Sequence, residues 1–114
     1  MEVVTHHMKL APFAFKAIIA GEKTIEMRLY DEKRAKIKVG DEIEFEDTAT
    51  HRKIKCIVVD LTRYRDFQEL YSSVDKVAIG YKANETANAE DMYAFYSPEQ
   101  INKYGVLAIR IRMI

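Results

Sequence analysis

Between Gly21 and Arg34 the chain reads G-E-K-T-I-E-M-R-L-Y-D-E-K-R, which sets a lysine, a glutamate and an arginine at positions 23, 26 and 28. The middle alternates as a half-buried strand does, with Ile25, Met27 and Leu29 on one face and Thr24, Glu26, Arg28 and Tyr30 on the other. Glu26 and Arg28 are therefore neighbours, and Lys23 sits at the entrance, where its long side chain can swing in. Such a trio suits a nucleotide. Arginine grips a phosphate or a carbonyl edge bidentately, lysine adds a point charge, and glutamate accepts from an exocyclic base amine such as cytosine's. Two adjacent cations keep Glu26 ionised. The residues alone allow a plainer arrangement as well, a Glu26–Arg28 pair on a wet strand, which contributes little to stability.

Around the trio, Tyr30, then Lys33 and Arg34 from the following loop, and Arg63 and Arg65 flanking Tyr64, are candidates for a basic rim with a ring available for stacking. Single-stranded RNA is held by such combinations of cations and aromatics. The plainer alternative leaves Lys33 and Arg34 solvated and Tyr64 packed at the edge of the core. Tyr93, Phe95 and Tyr96 read as core or staple residues.

Composition narrows the classes of function. A chain of 114 residues is the size of one domain with one core, and we read residues 1–114 as that single domain. Eighteen basic and eighteen acidic residues give no global field to draw in a polyanion, so any nucleic-acid contact must be local. No apolar run approaches the roughly 20 residues of a membrane span, and Met1 to Lys9 lacks the pattern of a signal peptide, so a cytoplasmic protein without membrane contact is expected. Cys56, the single cysteine, lies in an apolar run and reads as a small buried side chain. His6 and His7 are adjacent and point to opposite faces of a strand, so they cannot chelate one metal; no metal and no cofactor are expected.

The elements that must position the trio follow from periodicity. Val3 to Leu10 reads as a first strand. Pro12 suits the first turn of a short helix, with Phe13, Ala14, Ala17, Ile18 and Ile19 as its apolar stripe and Gly21 as its stop. Asp31 to Lys38 is a charged loop, and Val39-Gly40-Asp41 a turn. Glu42 to Glu46 alternates as a strand with three outward glutamates, and Lys53 to Leu61, apolar on both faces from Ile57 to Val59, reads as a central strand. Phe67, Leu70, Tyr71 and Val74 space out as a helix. The polar stretch 72–90 has few anchors after Tyr81 and reads as a mobile segment or lid. Glu90 to Tyr96 is helical, Ser97-Pro98-Glu99-Gln100 starts a new helix with a capping box, and Val106 to Ile114 is the last strand. About five strands with short helices and no regular βαβ rhythm indicate an α+β, mostly antiparallel sheet, open or closed.

The pattern Gly21-x-Lys23-x-x-Glu26-x-Arg28 resembles the GxKxxExR signature of the ASCH domain family, and the match continues through Lys38-Val39-Gly40-Asp41 and Tyr104-Gly105-Val106-Leu107. The resemblance covers essentially the whole chain. It implies a PUA-like, mostly antiparallel β-barrel of five to six strands with short flanking helices, holding RNA or a nucleotide on Lys23, Glu26 and Arg28; a monomer is expected, although the sequence does not set the oligomeric state. Some ASCH-like proteins are amidohydrolases that deacetylate acetylcytidine with a lysine, a threonine nucleophile and a glutamate. Lys23 matches that lysine, whereas Glu26 stands where the threonine would be, and a carboxylate does not replace an activated hydroxyl. Thr24 is two residues away, about 6.6 Å along a strand. Glu69, Glu85 and Glu90 are loose candidates for the amidase glutamate. A small hydrolase acting on an acylated nucleoside, with Lys23 and Glu26 moving protons, is thus the alternative to a binding module, and a protein-interaction module is a third.

Overall fold

The computed structural model describes residues 3–114. Five strands form one sheet: β1 (Thr5–Leu10), β2 (Ile25–Leu29), β3 (Glu42–Asp47), β4 (Lys53–Tyr64) and β5 (Val106–Met113). Their order is β1-β3-β4-β5-β2, with β1 parallel to β3 and every other pairing antiparallel. The sheet curls into a half-barrel, as the family resemblance implies. β1 and β2 are its two edges.

Three helices are set by local chemistry. In α1 (Pro12–Ile19) proline occupies the first turn, and the chain leaves through Gly21 at φ 78°, a backbone conformation that suits glycine. In α2 (Phe67–Ser73) the Asp66 side chain accepts from the Glu69 N–H. In α3 (Pro98–Tyr104) Ser97 and Gln100 form the full capping box, and Gly105 ends the helix. A 3₁₀ segment, Ala89–Ala94, lies between α2 and α3, and a single 3₁₀ turn, Arg34–Lys36, interrupts the charged loop. Among the described residues no helix is long and apolar enough to cross a membrane.

The sheet is covered on both sides. Met8, Leu10, Ile43, Phe45, Cys56, Val58, Leu107, Ile109 and Ile111 pack inside the curl with Phe15 and Ile18 of α1. On the outer side Ile25, Met27, Leu29, Val106 and Ala108 pack against Phe67 and Leu70 of α2, Met92, and Ile101 of α3. Cys56 is fully buried, and that burial pushes its thiol up to about 11. His6 and His7 part as expected: His6 Nε2 lies 2.8 Å from Asp41 and His7 Nδ1 3.2 Å from Glu44.

Two expectations about the core are corrected. In α1 the residues turned inward are Phe15 and Ile18, three apart, while Phe13 is 66% exposed. The strand covered on both faces at its start is β5. β4 is central in the sheet order, but Val59 is exposed, because the helices that cover the outer side sit over β2 and β5. The three glutamates of β3 are half-buried and paired, Glu42 with Lys55 at 3.7 Å, Glu44 with His7 and Glu46 with His51 at 3.0 Å. Stretch 72–90 is anchored at Ala78, whose carbonyl accepts from both Thr24 N and Ile25 N at 2.9 Å.

Leu70 of α2 is fully buried against the outer face of the sheet. Leu70→Ala should therefore cost about 2–5 kcal/mol of stability, read from urea unfolding. A loss within experimental error of zero would mean that α2 does not pack on the sheet in solution.

Candidate functional site

Glu26 is the centre of the site. It points into the curl from edge strand β2 and is 6% exposed, as is appropriate for a carboxylate only when it is fully partnered. Its Oε1 accepts from Lys23 Nζ at 3.2 Å and from the Met27 N–H at 3.1 Å. Its Oε2 accepts from Arg28 Nε at 2.8 Å and is ion-paired with Nη2 at 2.7 Å. Burial works to raise the carboxyl pKa, but the charges and hydrogen bonds of Lys23 and Arg28 together outweigh it and hold Glu26 below its ordinary 4.5.

The two cations are committed elsewhere as well. Lys23, 5% exposed, donates from Nζ to the Ile25 carbonyl at 2.8 Å and to the Ile79 carbonyl at 3.2 Å, so with Glu26 it has three acceptors for its three N–H groups. Gly80, at φ 113°, carries the chain past the lysine stem; a Cβ there would lie 3.5 Å from Lys23 Cδ. Arg28 Nη2 also donates to the Lys9 carbonyl at 2.8 Å, reaching from edge β2 to edge β1. Arg28 Nη1 has no hydrogen-bond partner among the described residues.

Beside this trio opens a cavity of about 590 Å³. It lies where the curl fails to close, between Lys9–Ala11 at the end of β1, Phe13, Ala14 and Ala17 of α1, and Glu26–Arg28 of β2. The opposite wall comes from Tyr71 of α2, the stretch Val77–Glu85 and the 3₁₀ segment, with Tyr81, Phe95 and Tyr96 among its aromatics. Tyr81 donates to Asp91 at 2.6 Å and lies 3.0 Å from the Tyr71 hydroxyl, which ties the wall to α2. Burial, then the hydrogen bond to Asp91, pushes the Tyr81 phenol well above its ordinary value, so it remains a neutral donor. The charged rim is mixed, Lys9 and Lys82 against Glu22, Glu85 and Asp91.

Of the residues singled out from the sequence, Lys23, Glu26 and Arg28 come together as the polar floor of this cavity. Tyr30, Lys33, Arg34, Arg63, Tyr64 and Arg65 do not line it. Tyr30 packs at the inner core with the Arg63 guanidinium 3.8 Å over its ring, and Tyr64 packs at the outer core. Arg34 pairs with Asp31 at 2.8 Å, Lys33 is exposed, and Arg65 turns to Asp66 and Glu69. The anticipated basic rim is thus replaced by a mixed one, because strand direction carries β4 and the 31–38 loop to other parts of the molecule. Glu85 lines the cavity, while Glu69, Glu90 and Thr24 do not. The aromatic wall was not legible: Phe95 reads as core but is 66% exposed, and the adjacency of α1 to stretch 77–96 leaves no sequence signal.

Chemically the trio is a set of fixed charges. Lys23 Nζ has three oxygens within 3.2 Å, and Glu26 is held ionised between the Met27 N–H and the two cations. Glu26→Gln should cost about 3–5 kcal/mol at pH 7, since buried Lys23 and half-buried Arg28 lose their counter-charge. The pH profile carries a sign. A lowered folded pKa gives stability that is complete above the ordinary 4.5 and is lost as the pH falls through the folded value. Urea midpoints between pH 7 and 3 should therefore drop more steeply for wild type than for the variant; parallel profiles would mean that Glu26 titrates alike in folded and unfolded chains.

The profile of the ASCH domain matches residues 8–114. A crystal structure of a hypothetical protein superposes with a TM-score of 0.83 at 34% identity, covering 97% of this chain and 100% of the other. An NMR structure of a protein from Pyrococcus furiosus gives 0.76 at 31% identity, covering 97% and 98%. The ASCH domain from Lactobacillus crispatus JV V101 gives 0.63 at 8% identity, covering 95% and 79%, a likeness of fold alone. Comparison with curated proteins yields no match. By the profile over nearly its full length and by two structures above 30% identity, the chain belongs to the ASCH domain family.

Proposed function

We propose that this chain binds RNA or a nucleotide by taking one base into the cavity beside Glu26. The observation that carries the reading is the composition of the wall: exposed Phe13 and Phe95, with Tyr81 and Tyr96, around a floor that ends in the Arg28 guanidinium. Exposed aromatic rings on a concave surface are costly unless they meet a planar partner, and base stacking is worth about 1–3 kcal/mol per base. At about 590 Å³ the cavity is in the size range of small-molecule sites. In this reading the phosphate of a bound nucleotide lies at the mixed rim, beside Lys9 and Lys82. A hydrolytic reading gains nothing from the trio, whose charges are locked to one another and to the backbone.

The test is a titration of isotope-labelled protein with the four nucleoside monophosphates and with a short single-stranded RNA, followed by NMR. Shifts should gather on Lys9–Ala17, Glu26–Arg28, Gly80–Lys82 and Phe95, and Phe95→Ala should weaken binding about fivefold or more. Shifts centred on Arg63–Arg65 would move the site to another face and overturn the reading. With Lys9 and Lys82 as the basic residues of the rim, the salt slope for RNA should be no steeper than about −1.4, two single-strand phosphate contacts. A much steeper slope would mean that backbone charge, and not the cavity, dominates binding.

A further inference from the structure

The proposed site has an uneven hydrogen-bonding capacity. Glu26 is the one carboxylate on its floor, and its oxygens accept from Met27 N and Arg28 Nε and are ion-paired to Lys23 Nζ and Arg28 Nη2. The Lys23 ammonium spends all three donors on Ile25, Ile79 and Glu26. Arg28 uses Nε and Nη2 on Glu26 and Lys9. What the floor has left is Arg28 Nη1, a nitrogen that can only donate. The other carboxylates of the lining, Glu22, Glu85 and Asp91, stand exposed at the rim, and Asp91 already accepts from Tyr81.

We infer that Arg28, through its Nη1 edge, makes the cavity selective for a ligand that presents a carbonyl to the floor, a keto base in preference to an amino base. This rests on the reading of the cavity as a base site and reverses the first expectation for Glu26, that it accepts from cytosine's amine. Set against the floor, an exocyclic amine meets donor with donor, and the carboxylate that would receive it is already engaged by Met27 N, Lys23 and Arg28. A carbonyl oxygen there gains a charge-assisted hydrogen bond. Inosine and adenosine differ at this edge, as do uridine and cytidine, so these two pairs isolate the effect from stacking and size.

The experiment measures dissociation constants of wild-type protein for inosine, adenosine, uridine and cytidine. The keto member of each pair should bind about tenfold tighter or more, the scale of one hydrogen bond to a charged group. Arg28→Gln, whose amide both donates and accepts, should bring the members of each pair to within about twofold of one another. Because Arg28 also holds Glu26 and Lys9, that variant is paired with a measurement on intact protein: the guanidinium ¹⁵N–¹H signals of Arg28 should shift at saturating inosine and uridine and stay in place with adenosine and cytidine. Equal affinities within each pair, amino members binding tighter, or an Arg28 guanidinium unmoved by saturating inosine would overturn the selectivity and leave the base site standing. If none of the four binds, both fail.

Discussion

The structure depends on one buried carboxylate. Glu26 is placed where an unpaired charge would be prohibitively costly, and four donors surround it. Each cation that neutralises it reaches on to a backbone carbonyl of another segment. Lys23 holds Ile79 in the outer wall, and Arg28 holds Lys9 at the far edge of the sheet. A single charge thus fixes the relative positions of β2, β1 and stretch 77–80, the three backbone surfaces between which the cavity opens.

An incompletely closed barrel has two edges whose N–H and C=O groups need partners. Here side chains supply some of them: Glu26 accepts from the Met27 N–H, Lys23 donates to the Ile25 carbonyl, and Arg28 donates to the Lys9 carbonyl. Charged groups occupy the place of a missing strand. A strand would have filled the gap, whereas three side chains leave room beside them. The gap in the sheet and the cavity are one feature.

Much of this was written in local patterns. Ser97-Pro98-Glu99-Gln100 specified its helix start through groups within four residues of each other, and the alternation of β2 put Glu26 and Arg28 on one face. The polar floor was legible for the same reason, since Lys23, Glu26 and Arg28 meet along a single strand. The aromatic wall was not, because Phe13 and Phe95 come from segments about eighty residues apart and their exposure follows from tertiary packing. Phe13 and Phe15 are chemically the same, and a stripe on so short a helix does not tell which goes inward. Arg63, Tyr64 and Arg65 failed as rim candidates because β4 runs on to Tyr64, three residues past its apolar run, and ends away from the cavity.

The spacing of the motif follows from this geometry. Gly21 turns the chain out of α1, so that Lys23 arrives below the strand and its amine meets Glu26 three residues on; Arg28 lies on the same strand face two residues further. A hydroxyl at position 26 would leave the two cations beside each other without a counter-charge. Glutamate supplies it. With Glu26 in place, both cations are tied to it and to backbone carbonyls, and Arg28 Nη1 is left without a hydrogen-bond partner among the described residues. The residue type at position 26 therefore determines how the charges beside the cavity are partnered.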